Sequence, residues 1–262
     1  MMSDSGISGR KEGYPNKNPI AFGLLIFLFF FLASALPLIF LKNVISQTLL
    51  TFGPLLLKAF AALLVIYSLK WFKDTGFSSK WKALWALIPL GILVFLNSGE
   101  VFSSQLTLAL STVVAGFFFG LLTAIGEESI FRGIILRTFL PFGVLKSVLV
   151  TSILFGFWHI TLLSSSSPPY ALIAIIGAFL IGIFFASIRL SMNTIIPLIV
   201  AHTLIDWASA VVGNGQFKPP PLAVYATFYI GFNLIFALVG IYLLRHYKIG
   251  NPATLSESSI KK

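Results

Sequence analysis

What most constrains this chain is a series of long apolar blocks separated by short polar interruptions. The first, Ile20 to Leu41, holds 22 residues without a charge. As a helix rising 1.5 Å per residue it spans about 33 Å, enough to cross a hydrocarbon core of about 30 Å. Further blocks run Leu49 to Leu69, Ala83 to Leu96, Leu106 to about Ile135, Val144 to Leu163, Tyr170 to Ile188, Thr194 to Val212 and Leu222 to Leu244, eight in all. The third has only 14 residues and contains Pro89, so it is either re-entrant or lengthened by its neighbours. Only 10% of residues are charged, against about a quarter in an ordinary globular domain, and mean hydropathy is +0.96. So little polar surface cannot cover a soluble core. The fold class that follows is all-α, a polytopic membrane helix bundle of about eight transmembrane helices.

Met1 to Pro19 is polar and without periodicity, and reads as a flexible tail; residues 20–246 form the membrane domain, and residues 247–262 a second tail. Ser164 to Pro169 and Gly213 to Pro221 combine the residues that loops use. Ala33, Ser34 and Ala35 look like a cleavage site, but the apolar run continues to Leu41, which suits an uncleaved anchor. The net charge of +10 would suggest nucleic acid in a soluble chain. Here the basic residues lie between apolar blocks, as topology determinants do, and nucleic acid is not expected as a partner. With both termini on the cytoplasmic side, 14 Lys and Arg fall there, only Lys42 and Lys218 fall opposite, and Lys58 and Arg132 lie inside blocks. There is no cysteine, so thiol nucleophiles, disulfides and thiolate metal sites are excluded.

Ionisable residues inside a membrane are costly, and each is a functional-site candidate. Here they are Lys58, Glu127, Glu128, Arg132, His159, His202 and Asp206. Glu127 lies about 15 Å of helix rise from Arg137, His159 about 20 Å from Lys146, and His202 about as far from Arg189, so three helices bring polar groups to comparable depth. Glu128 and Arg132 are four apart on one helical face, where the arginine neutralises one of two adjacent carboxylates and leaves Glu127 for another partner. His202 and Asp206 repeat that spacing, so the carboxylate orients the imidazole, shares a metal with it or hydrogen-bonds to it. Phe155 shares a face with His159 as a packing neighbour.

Two chemistries suit this set. A carboxylate held by a neutral imidazole can activate water while the second imidazole donates to an oxyanion. Alternatively, two histidines and one or two carboxylates can ligate zinc with a position open for water. The zincin H-E-x-x-H, the phosphate-loop and the G-x-S-x-G motifs are all absent.

Glu127-Glu128-Ser129-Ile130-Phe131-Arg132 resembles the E-E-x-x-x-R motif of the CPBP intramembrane proteases. That family includes type II CAAX prenyl endopeptidases and bacteriocin-processing or self-immunity proteins. Phe155 to His159 is similar to its F-x-x-x-H, and His202 to Asp206 to its H-x-x-x-N/D. The resemblance covers about 100 residues, within 110–212. It implies a peptide-bond hydrolase in the membrane, reached from the cytoplasmic side, with membrane lipid and a peptide or lipidated protein as partners. Carried over by position, Glu127 would activate water with His159, Glu128 and Arg132 would support them, and His202 with Asp206 would bind the oxyanion. In the metal-dependent alternative, Glu127, His159, His202 and Asp206 would be zinc ligands. The family's last position is Asp here, and an ionised Asp cannot donate to an oxyanion.

Two other functions fit the polar groups: a proton-coupled transporter using Glu127, Glu128 and Asp206, and a membrane scaffold or immunity factor without activity. No internal repeat supports transport. Gly116 and Gly120 form a G-x-x-x-G suited to close helix packing. Lys58 counters a carboxylate, lines a cavity or marks a displaced boundary, and His246 belongs at a membrane surface. Trp71, Trp81 and Trp85 are assigned to the interfacial belt.

Overall fold

The computed structural model describes residues 14–103, 109–164, 166–212 and 220–246. Its α-helices are α1 (Tyr14–Lys17), α2 (Pro19–Phe40), α3 (Gln47–Leu69), α4 (Leu87–Ser103), α5 (Leu110–Glu128), α6 (Leu136–Phe139), α7 (Val144–Trp158), α8 (Pro168–Met192), α9 (Ile196–Val212) and α10 (Leu222–His246). Among the described residues there is no strand. Six helical stretches are long and apolar enough to cross a membrane, and Leu84–Ser98 and Ile196–Val212 are shorter apolar helices. Together they match the eight apolar blocks.

Leu25, Phe29, Phe60, Phe95, Phe118, Ile153 and Ile235 are all exposed. A water-facing surface does not carry large apolar side chains on every outer helix, whereas lipid accepts them without cost. The protein is a multi-pass integral membrane protein.

The short third block is lengthened at its far end. A 3-10 turn, Leu84–Ala86, leads into α4, which runs on to Ser103. Pro89 falls in the first turn of α4, where a backbone N–H has no helical partner to lose. The predicted start of the fourth block at Leu106 lies outside the described residues, and its end extends beyond Ile135. From Leu110 the chain stays helical to Phe142, passing from α5 through a π-helical segment, Ser129–Ile135, into α6 and a 3-10 turn. Residues 14–17 are helical rather than part of a formless tail. The rest of that tail, the C-terminal tail and residues 213–219 of the predicted loop lie outside the described residues.

Two glycines set the helix spacing that matters most. A Cβ on Gly120 would stand 2.6 Å from the carbonyl oxygen of Thr203, so α5 and α9 approach to backbone contact there. Also on α5, a Cβ on Gly126 would stand 2.9 Å from Cε of Lys58 and 3.4 Å from the backbone nitrogen of Ala59, so α3 packs closely there too. Thus one helix is gripped on two sides just before its paired carboxylates.

The connection after α3 is pinned inward. Buried Arg189 donates through Nε to the Thr75 carbonyl at 3.0 Å and through Nη2 to the Asp74 carbonyl at 2.8 Å. Arg189 is therefore more than the loop charge its position suggests. Trp71 is likewise no belt residue: at 8% exposure it packs edge-on to Phe22, with the Arg137 guanidinium 3.8 Å from its ring centre. Trp81 and Trp85, by contrast, are exposed.

Candidate active site

Glu127 and Glu128 end α5, and the π segment begins at the next residue. A π turn widens the helix locally, and such turns concentrate at functional sites. Within it the Phe131 carbonyl accepts a hydrogen bond from Thr151 Oγ1 of α7 at 2.9 Å, tying the widened stretch to the helix that leads to His159.

Glu128 is wholly buried, and its Oε1 accepts from Arg132 Nη1 at 3.1 Å and from His202 Nδ1 at 2.8 Å. The Arg132 guanidinium is sandwiched by aromatic faces, 4.0 Å from the Phe155 ring centre and 5.3 Å from that of Phe185. A charge so far from water needs partners of this kind. The i, i+4 pair therefore forms as its spacing predicts, even though the π segment intervenes.

Glu127 has a different set of neighbours. Its Oε1 accepts from Lys58 Nζ at 2.9 Å and from Trp158 Nε1 at 3.1 Å. Its Oε2 lies 4.0 Å from His202 Nε2, too far for a hydrogen bond. The same His202 Nε2 is 3.5 Å from Asp206 Oδ2. One imidazole thus stands among three carboxylates, bonded to Glu128 and close to the other two.

His159 sits where α7 gives way to a 3-10 turn, His159–Ser164. Its Nδ1 is 2.8 Å from the Phe155 carbonyl, and because a carbonyl only accepts, Nδ1 carries the proton. In the neutral ring Nε2 then keeps its lone pair. Phe155 packs edge-on to His159 at 4.9 Å and to His202 at 6.5 Å, so it bridges the two imidazoles as an apolar wall. Glu127 is buried, while His159 and Asp206 remain partly exposed, the Asp206 side chain at 23%.

Each of the paired carboxylates is engaged through one oxygen. Among the described residues no group of three or more His, Asp and Glu side chains is placed to hold a metal ion. Glu127 Oε1 is taken up by an ammonium and an indole N–H, and Glu128 Oε1 by a guanidinium and an imidazole N–H.

Residues 109–208 match a family model. The match is to the Rce1-like type II CAAX prenyl endopeptidases. No curated protein matches the chain. All three motifs lie inside the Rce1-like stretch. Lys58 lies outside that stretch, on α3. Of its three sequence readings the structure selects the counter-charge to a carboxylate. Trp158 carries no sequence signal of its own; its buried indole N–H makes it a partner of Glu127.

Proposed function

We propose that this protein is an intramembrane endopeptidase that hydrolyses a peptide bond of a membrane-associated substrate with Glu127 as general base. The observation that carries the reading is the separation of Glu127 Oε2 from His202 Nε2: 4.0 Å apart and not bonded to one another, they are two reactive atoms that can both reach a third party. The Rce1-like match supports a substrate of the CAAX type, a prenylated C-terminal peptide whose lipid lies in the bilayer.

The steps follow from the proton inventory. Glu127 Oε2 takes a proton from water while His159 Nε2 accepts that water's other hydrogen and orients it. The hydroxide adds to the scissile carbonyl. His202, with a proton on each ring nitrogen, satisfies Glu128 through Nδ1 and donates from Nε2 to the oxyanion. Asp206 supports that ring and does not itself bind the oxyanion, since an ionised carboxylate has no hydrogen to donate. Glu127 then returns its proton to the leaving nitrogen, the C–N bond breaks, and an acid and an amine depart. Glu128 and Arg132 form the buried pair on which His202 rests.

The test is cleavage of a fluorogenic prenylated C-terminal peptide by detergent-purified protein and by Glu127→Ala, with and without chelator. The expected result is cleavage indifferent to chelation and a loss of about a thousandfold in the variant. Failure of the wild type on prenylated and unprenylated peptide panels alike would overturn the reading in favour of transport or a scaffold role.

A further inference from the structure

Two groups outside the motif positions converge on Glu127. Lys58 reaches it from α3 across 69 residues of sequence, and Trp158 from the last residue of α7. Both end on the same oxygen, Oε1, at 2.9 and 3.1 Å, and Lys58 Nζ also lies 5.1 Å from the centre of the Trp158 ring. Ammonium, indole and carboxylate thus form a closed triangle in which each member touches the other two.

Lys58 cannot be an interfacial lysine. It is buried at the centre of α3, eleven residues or about 16 Å of rise from either end, beyond the reach of its own stem to water. Its path is built for it: a Cβ on Gly126 would stand 2.9 Å from its Cε and 3.1 Å from its Cγ, so position 126 must lack a side chain for the lysine to lie where it does. A carboxylate hinges about its last torsion and can offer either oxygen, with no strong preference of its own. Two donors from two helices remove that freedom. With Oε1 saturated, Oε2 is the oxygen left to react, and it is Oε2 that lies nearest His202 Nε2.

We infer that Lys58 and Trp158 are positioning residues for the hydrolysis: they clamp Oε1 of Glu127, so that Oε2 alone takes the proton of the attacking water. The inference rests on the endopeptidase reading of Glu127. It assigns a mechanistic part to a helix outside the Rce1-like stretch.

Steady-state cleavage of the same prenylated peptide by full-length Lys58→Met, Lys58→Arg and Trp158→Phe, beside wild type and Glu127→Ala, tests it. Met matches the lysine stem without its charge, and Phe keeps an aromatic ring while removing the N–H. Expected is a fall in kcat of about 10- to 100-fold for Lys58→Met and for Trp158→Phe with KM within about twofold, because only orientation in the transition state is lost. Lys58→Arg, which keeps a cationic donor, should fall less than Lys58→Met. Wild-type kcat in folded Lys58→Met and Trp158→Phe, with Glu127→Ala inactive, would overturn the clamp and leave the protease standing. A rise in KM at constant kcat would also overturn it, by making the pair a substrate-binding feature. Should Lys58→Met fail to fold, Trp158→Phe decides by the same criterion. A wild type that cleaves nothing would take down the reading of Glu127 and the clamp together.

Discussion

The helices that carry the three motifs and those that flank them solve opposite problems. In the first group, α5 with its π segment, α7 and α9, charge is brought together: two carboxylates, a guanidinium and an imidazole are buried within a few ångströms of one another, with Asp206 at the edge. In the second, α2, α4 and α10 turn residues such as Phe29, Phe95 and Ile235 outward to the lipid. Between the two stands α3, lipid-facing through Phe60 yet contributing Lys58 to the polar cluster. The boundary of the chemistry is therefore not the boundary of the motif segment. A hydrocarbon surround makes this necessary, since a charge there needs a partner from whichever helix can supply one.

The sharpest way to break the contrast is to remove one charge from the interior. Arg132→Ala leaves Glu128 wholly buried with only His202 beside it, and should destabilise the fold by about 3 to 5 kcal/mol, read from denaturant titration in detergent. A smaller loss follows from parting the helices without touching charge. Gly120→Val places atoms against the Thr203 carbonyl and should cost about 1 to 3 kcal/mol, with a disproportionate fall in peptide cleavage because His202 moves relative to Glu127. The least effect belongs to the periphery. Phe95→Leu, at a position 70% exposed, should change stability by under about 0.5 kcal/mol and leave cleavage at the wild-type rate.

How much of this could be read in advance depends on the length scale of each signal. Helix number was legible because uninterrupted hydropathy reports directly on what spans a bilayer, and the Glu128–Arg132 pair because four residues is one turn. The spacing of Gly116 and Gly120 foretold a close neighbour without saying that the neighbour was α9. The π segment was hidden, since Ser-Ile-Phe-Arg-Gly-Ile-Ile has the composition of any apolar helix and the widened turn is fixed by what packs on it. The pairing of Lys58 with Glu127 was hidden for a related reason: it depends on the rotation and depth of two helices, which neither helix encodes alone. Trp71 and Arg189 were misjudged through position, because both lie at helix ends where belts and topology signals belong, yet both turn inward to hold the 70–83 connection.

The ion pair between α3 and α5 also has a meaning in time. Synthesis delivers Lys58 to the bilayer 69 residues before Glu127, so α3 arrives holding an ammonium that has no counter-charge until α5 follows. That charge is matched only when α5 arrives, so the pairing of the two helices waits on the later one.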